Sequence, residues 1–506
     1  MAAIARPARD SVLAVGDDGF EPAAFARDFQ RFVAGINRLV PPRSSPVREL
    51  ITHHLGQPDD MPVLSESLES AEHPNLQLAL DDLVTGEGWR IVGLSLGLRQ
   101  YGAFSLGALA TDRMSEWGLP SPRPMPVEYV NLPVSPDDEL ACAQLALYLG
   151  TWGDVPVVLM VMAGDERSHF ESRLTVEVLA PRRDVAADIL ANLRDRRHAH
   201  NVYRGKTLTF RHTPHGTFRL DFLRVPTIDR SQVVLPDADL AAIEEHTLAF
   251  ADRAGALRAS GRHLKRGLLL YGPPGTGKTW SVMYLRSRMP ERTTVVINGG
   301  PGIDALGQAV ALARSLQPSM VVLEDVDLIA HERTMPGHGT NPLLFQLLNE
   351  MDGLAEDADV IFVLTTNRLE LLEPALAMRP GRIDQAVEVK LPDAGCRHRL
   401  FELYLRDLPG LADIDLAPLV AATDGVSAAF VKELVRRAVL LAAADTGNGS
   451  AAPPVDAGHL SGAMAALDAS RSPVLRTLLG AAARPAAAPS PPAPASDGDG
   501  DGDGEQ

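Results

Sequence analysis

The stretch that decides this chain is Gly267-Leu268-Leu269-Leu270-Tyr271-Gly272-Pro273-Pro274-Gly275-Thr276-Gly277-Lys278-Thr279-Trp280. An apolar run, a glycine-rich turn and a helix-compatible segment to Arg288 follow one another, which is the context a phosphate-binding loop needs. The glycines let the backbone turn tightly and aim successive N–H groups at phosphate oxygens. A helix start adds partial positive charge. Lys278 has the reach for the β- and γ-phosphates, and Thr279 can offer its hydroxyl to Mg²⁺. The segment Gly272 to Trp280 is therefore expected to hold a nucleoside triphosphate.

Carboxylates are needed opposite such a loop. The strand-like run Met320-Val321-Val322-Leu323 ends in Glu324-Asp325-Val326-Asp327. Glu324 is placed to orient Mg²⁺ through bound water, and Asp325 to polarise the attacking water. A second apolar run, Val360 to Leu364, ends in Thr365-Thr366-Asn367, where the Asn367 amide can position that water. Beyond it lies Met378-Arg379-Pro380-Gly381-Arg382, two arginines beside a Pro-Gly turn. Guanidinium forks match phosphate geometry, so Arg379 and Arg382 either touch a γ-phosphate or form salt bridges at a domain edge.

The order of these motifs resembles the AAA+ ATPase module, in its AAA branch, over about Val225 to Ser470. The resemblance implies a parallel sheet with helices on both faces and a small helical lid. It also implies ATP and Mg²⁺ as cofactors, Asn367 as a sensor, and Arg379 and Arg382 as fingers acting across a subunit boundary. The active form implied is a homo-oligomeric ring of six subunits, with seven as the alternative. The Glu324-Asp325 order reverses the usual one and resembles the group of the mitochondrial Rieske-protein translocase and its soluble bacterial relatives, as does Arg230 to Leu235. Between Arg292 and Gln317 there is no Phe, Tyr or Trp, so an aromatic pore loop that threads polypeptide is not expected.

The chain has 506 residues, 45% of them apolar, and a formal charge of −17. The charge argues against nonspecific binding of nucleic acid or anionic membrane over the whole surface. Cys142 and Cys396 are too few for a disulfide framework. No segment has the apolar length of a membrane helix or a signal peptide, so a cytoplasmic protein without integral membrane contact is expected.

The organisation expected is as follows. Residues 1–130 form a partly helical N-terminal region, with Phe25, Phe29 and Phe32 on the packing face of a helix near Glu21 to Leu39. Residues 131–226 form an α+β accessory domain, with a helix over Glu139 to Leu149, strands over Val155 to Met162 and Leu174 to Val178, and a hairpin over Thr207 to Phe222. The large nucleotide domain spans 227–395 and the helical lid 396–480. Residues 481–506, Ala/Pro-rich and ending in alternating Asp-Gly, are expected to be a disordered acidic tail.

A locally basic stretch, Arg182, Arg183, Arg194, Arg196, Arg197, Arg204, Lys206 and Arg211, is opposed by Asp184, Asp188 and Asp195. Such a stretch can neutralise phosphates, but with Tyr203 and Phe210 its only aromatics, base stacking has little to work with. The expected function is an ATP-driven ring that remodels or translocates a protein client. The rivals are an ATPase acting on nucleic acid through the basic stretch, and an ATP-assembled scaffold with slow hydrolysis.

Overall fold

The structure, a computed structural model, describes residues 45–85, 88–95, 105–111, 122–163, 173–213, 218–298, 305–327, 349–351, 353, 357–372, 383–409, 414–446 and 453–469, with scattered positions between 24 and 35. The chain divides into two compact units, Met1–Val202 and Tyr203–Gln506.

The first unit is built on a six-stranded antiparallel sheet, in the order β1 (Val63–Leu68), β8 (Leu174–Leu179), β7 (Val155–Met162), β6 (Leu145–Trp152), β2 (Arg90–Leu94), β3 (Pro124–Met125). A separate pair, β4 (Tyr129–Pro133) and β5 (Glu139–Ala143), lies beside it in sequence. Strands β6 and β7 are apolar on both sides because helices cover both faces. On one, α2 (His73–Leu83) and α4 (Arg183–Ala199) bring Leu76, Leu80, Ile189 and Leu193 against Tyr148, Leu159 and Val178. On the other, α1 (Pro46–Leu55) and α3 (Leu106–Thr111) bring Ile51 and Leu106 against Leu147, Val158 and Met160. A Cβ on Gly150 would lie 2.2 Å from the Trp89 ring, so only glycine admits that indole.

Two expectations fail here. Glu139 to Leu149 is not a helix but β5 and the start of β6. The sequence Glu-Leu-Ala-Cys-Ala-Gln-Leu-Ala-Leu-Tyr-Leu satisfies both a helical and an alternating period, and pairing decides between them. Residues Leu145 to Trp152 run antiparallel to Met162 to Val155 across a turn with Gly153 at φ +58°. Phe25, Phe29 and Phe32, expected on a packing face, are exposed.

In the second unit a seven-stranded sheet has the order β10 (Phe218–Phe222), β9 (Thr207–His212), β12 (Thr293–Asn298), β13 (Ser319–Glu324), β14 (Val360–Thr366), β11 (Arg266–Tyr271), β15 (Gln385–Glu388). All pairs are parallel except the edge hairpin β9–β10. The hairpin expected within the accessory domain thus extends the nucleotide sheet: Thr207 to Thr209 pair with Thr294 to Val296.

Helix α5 (Asp237–Glu244), continued by a π-helical turn at Glu245–Ala249, α6 (Ala254–Ala259) and α7 (Lys278–Arg288) contribute Ile243, Ala254, Val282 and Leu285 to one core; α8 (Leu306–Ser315) contributes Leu306 and Val310 to the other. A buried pair, Arg292 and Asp359, ties the starts of β12, β13 and β14 together at 2.6 Å. After β15 come the helices α9 (Ala394–Leu405), α10 (Ala417–Ala422), α11 (Ala428–Thr446) and α12 (Ala457–Ala469), packed around Phe401, Phe430, Leu434 and Leu460. The sheet order brings the carboxyl ends of β13, β14 and β11 side by side, where open α/β sheets bind ligands.

Candidate nucleotide-binding site

The loop between β11 and α7 is shaped by three glycines with positive φ. Gly272 has φ +140°, and a Cβ there would lie 2.3 Å from the Val389 carbonyl oxygen. Gly275 (φ +74°) and Gly277 (φ +113°) complete the turn, and α7 begins at Lys278. Side chains are disfavoured in these conformations, which is why the sequence is glycine-rich here. The Thr276 hydroxyl donates to the Pro273 carbonyl at 2.9 Å and closes the loop on itself.

Lys278 is buried, yet its ammonium is fully used. It donates to the carbonyls of Gly272 and Pro273 and to Asn367 Oδ1, each at 2.8 Å. Those are all three of its protons. Burial lowers its pKa to about 8, against the opposing pull of Asp325 and Asp327. The ammonium thus waits at the loop, held by acceptors that phosphate oxygens can replace.

Opposite it, Glu324 closes β13, half-buried, with a hydrogen bond from Thr279. Burial, and secondarily Asp325, raise its pKa, while Thr279 works the other way. Asp325 lies just past the strand at φ +49°, its N–H donating to Thr365 Oγ1 at 3.0 Å. Its carboxylate accepts from Asn367 Nδ2 at 3.1 Å. Asn367 therefore bridges Lys278 and Asp325, one amide atom to each. Asp327, assigned no role from sequence, is buried and accepts from Thr366 Oγ1 and the Asn367 N–H.

A cleft of about 370 Å³ opens from the loop. Its walls include Gln232 to Leu235, Trp280 and, from the helices after β15, Tyr404, Ala429 and Lys432. Trp280 Nε1 donates to the Gln232 carbonyl at 2.9 Å, and Lys432 Nζ stands 5.7 Å from its ring centre. Ala429 N–H donates to the Gly275 carbonyl at 3.1 Å, joining the helical segment to the loop. Tyr404 and Lys432 were not picked out from sequence: nothing in the local pattern around them points to the loop they face.

Residues 268–391 match the model of the ATPase family associated with various cellular activities (AAA). This region is an AAA ATPase domain. Among relatives, the chain is 34% identical to the ATP-dependent zinc metalloprotease FtsH 4 of Sphaerobacter thermophilus, over 48% of this chain and 39% of that protein. It is 35% identical to the proteasome-activating nucleotidase of Methanopyrus kandleri, over 35% of this chain and 43% of that protein. The cell division cycle protein 48 homolog of Archaeoglobus fulgidus is 32% identical, over 37% and 26% respectively. The matches span less than half the length of each of these relatives.

An AAA domain takes ATP with Mg²⁺, and the residues present fit both. The fit rests on the preformed loop, the Lys278 ammonium held inside it, and an oxygen-only pair, Thr279 and Glu324, suited to a hard cation. Mg²⁺ is commonly held by few protein oxygens together with phosphates and waters. Among the described residues, no cluster of three or more His, Cys, Asp or Glu that could hold a metal by itself is present.

Arg379 and Arg382 lie outside the described residues, as do Gly299 to Asp304 of the expected pore-loop position. The basic stretch is divided between the two units. In the first, Arg194 and Arg197 each meet Glu66 at 2.9 Å, Arg196 meets Asp82, and Arg182 meets Asp184 at 3.1 Å. In the second, Arg211 meets Asp221 at 2.7 Å. Among the described residues, no helix is long and apolar enough to cross a membrane.

Proposed function

We propose that this chain hydrolyses ATP as a cytoplasmic homo-oligomeric ring, six subunits with seven as the alternative, and couples the cycle to remodelling or moving a protein client. The observation that carries the ATPase reading is the continuous chain Lys278–Asn367–Asp325, which links the phosphate loop to a carboxylate through one amide.

Thr279 would hold Mg²⁺ through its hydroxyl and Glu324 through bound water. Mg²⁺ bound with ATP supplies neutralisation of charge on the phosphate oxygens. Lys278 gives up its loop carbonyls to bind phosphate. Asp325 orients a water and accepts its proton, and Asn367 keeps that carboxylate from swinging away. Arg379 and Arg382 reach the site of a neighbouring copy and steady charge on the transferred group.

A protein client is supported by two observations. The arginines that form the most basic stretch are largely committed to internal carboxylates, and two relatives carry names that refer to proteolysis or the proteasome. The lack of an aromatic residue between Arg292 and Gln317, with a Glu324-Asp325 order that resembles the Rieske-translocase group, favours rotation of domains over threading of an extended chain.

The test is ATPase activity and assembly of the purified chain. ATP turnover that needs Mg²⁺, disappears in Lys278→Ala and drops in Arg382→Ala with nucleotide affinity retained is the expected result. Wild-type turnover in a strictly monomeric preparation would reject the ring. Steeply salt-dependent binding to DNA or RNA would reject the protein client.

A further inference from the structure

We propose that Asp327 is a positioning residue for hydrolysis: it fixes Asn367, and through Asn367 the distance between the Lys278 ammonium and the Asp325 carboxylate. The inference rests on the reading of this site as an ATPase.

Asp327 lies two residues past the paired carboxylates and is 6% exposed. A buried carboxylate is costly unless its oxygens are satisfied. Here one oxygen, Oδ1, accepts two hydrogen bonds, 2.9 Å from Thr366 Oγ1 and 3.1 Å from the Asn367 N–H. Both donors sit at the end of β14, and no salt bridge to Asp327 occurs among the described residues. The carboxylate grips the backbone at the very residue whose side chain divides its amide between Lys278 and Asp325.

The brace works in both directions across the two strand ends. From β14, Thr365 Oγ1 accepts the N–H of Asp325 and stabilises its left-handed backbone at φ +49°. From the β13 side, Asp327 holds Thr366 and Asn367. Strained backbone of this kind persists only where the surroundings over-determine it. If the Asp327 contact is lost, Asn367 can turn about its backbone, and its two side-chain contacts loosen together. Of these hydrogen bonds only the one from Lys278 to Asn367 reaches the phosphate loop, and Lys278 keeps the Gly272 and Pro273 carbonyls without it, so nucleotide binding should be largely spared.

The experiment is a double-mutant cycle on the full chain, with kcat, KM and nucleotide affinity measured for wild type, Asp327→Ala, Asn367→Ala and the double variant. Partners that orient directly acting groups typically cost about 10- to 100-fold when removed. Asp327→Ala is expected to lower kcat by about that factor, with nucleotide affinity changed less than about 3-fold. In the Asn367→Ala background the same change should lower kcat no further, because the residue it acts through is gone.

A purely structural role would instead lower kcat by the same factor in both backgrounds, and that result would overturn the proposal. So would equal losses in affinity and kcat. If Asp327→Ala does not fold, Thr366→Val removes one donor while leaving the carboxylate its backbone partner. It should give a smaller loss in kcat that likewise vanishes in the Asn367→Ala background, and persistence of the loss there would overturn the proposal. A wild-type protein that binds ATP without turnover would reject the ATPase reading itself, a result separate from either outcome of the cycle.

Discussion

Gly275→Ala tests how the lid grips the phosphate loop. At φ +74° a β-carbon strains the backbone by about 1–2 kcal/mol. It would also lie 2.9 Å from Ala429 Cβ and 3.0 Å from Ser427 Oγ. Ordinary contact distances are about 3.5–4.0 Å, so the start of α11 must retreat by roughly half an ångström to one ångström. Retreat weakens the hydrogen bond from Ala429 N–H to the Gly275 carbonyl, now 3.1 Å, worth about 0.5–1.5 kcal/mol.

The two parts act on different observables. Backbone strain is present with or without nucleotide and lowers the unfolding free energy, so urea denaturation should show a loss of about 1.5–3.5 kcal/mol in all. The lid part moves one wall of the cleft, lined by Ala429, Tyr404 and Lys432, while Gly275 itself lies on the loop wall. ATP affinity, read by calorimetric titration, should therefore fall by roughly 2- to 13-fold. Adding Ala429→Gly removes the nearest opposing atom. With Ser427 Oγ still 3.0 Å from the added carbon, the double variant should regain part of the lost affinity relative to Ala429→Gly alone, while the unfolding deficit from strain remains. An affinity loss that Ala429→Gly does not relieve would refute the argument, because the defect would then lie in the loop and not in the lid contact.

Asp325→Asn should slow turnover by about 100-fold or more, as expected for loss of a general base, with ATP affinity within about 3-fold of wild type; single-turnover kinetics and equilibrium titration would check it. Asp359→Ala leaves Arg292 buried without its carboxylate and should cost about 3–5 kcal/mol in urea unfolding. Glu433, held by Arg436 and Arg437, has its pKa lowered from 4.5 to about 2. A depressed carboxylate stabilises the fold above its ordinary pKa, and the benefit is lost as pH falls from about 4.5 towards about 2. Thermal midpoints across that window should drop less steeply in Glu433→Gln than in wild type.

The nucleotide site was legible where a local rule and a chemical need coincide. Positive φ demands glycine at 272, 275 and 277, and Lys278 and Thr279 follow them directly. The apolar runs of β13 and β14 end abruptly in polar residues, Glu324 and Asp325 on one and Asn367 on the other. What stayed hidden depends on which strands become neighbours. Asp327 gains its partners only because β14 lies next to β13. Tyr404 and Lys432 face the cleft only because the helices fold back on the loop. The hairpin of β9 and β10 reads the same locally whether it belongs to an accessory domain or, as here, lengthens the nucleotide sheet through β12. Likewise, the segment from Glu139 to Leu149 carries no signal strong enough to outvote its pairing with β4 and β7.

The reversed carboxylate order makes physical sense at the two backbone positions it occupies. Residue 324 is still in β13, in register with Asn298 of β12, and must reach Thr279 from a half-buried strand end. Residue 325 has left the strand in a left-handed conformation that Asp tolerates better than most side chains, because its short polar group can bond locally. Here its carboxylate reaches across to the end of β14 and accepts from Asn367 at 3.1 Å. A glutamate at 325 would face a backbone cost of about 1–2 kcal/mol, and its extra methylene would carry the carboxylate beyond the amide. An aspartate at 324 would withdraw from Thr279 by the same length. The longer acid thus stands where the backbone is fixed and reach is needed. The shorter one stands where the backbone itself turns the carboxylate towards its partner.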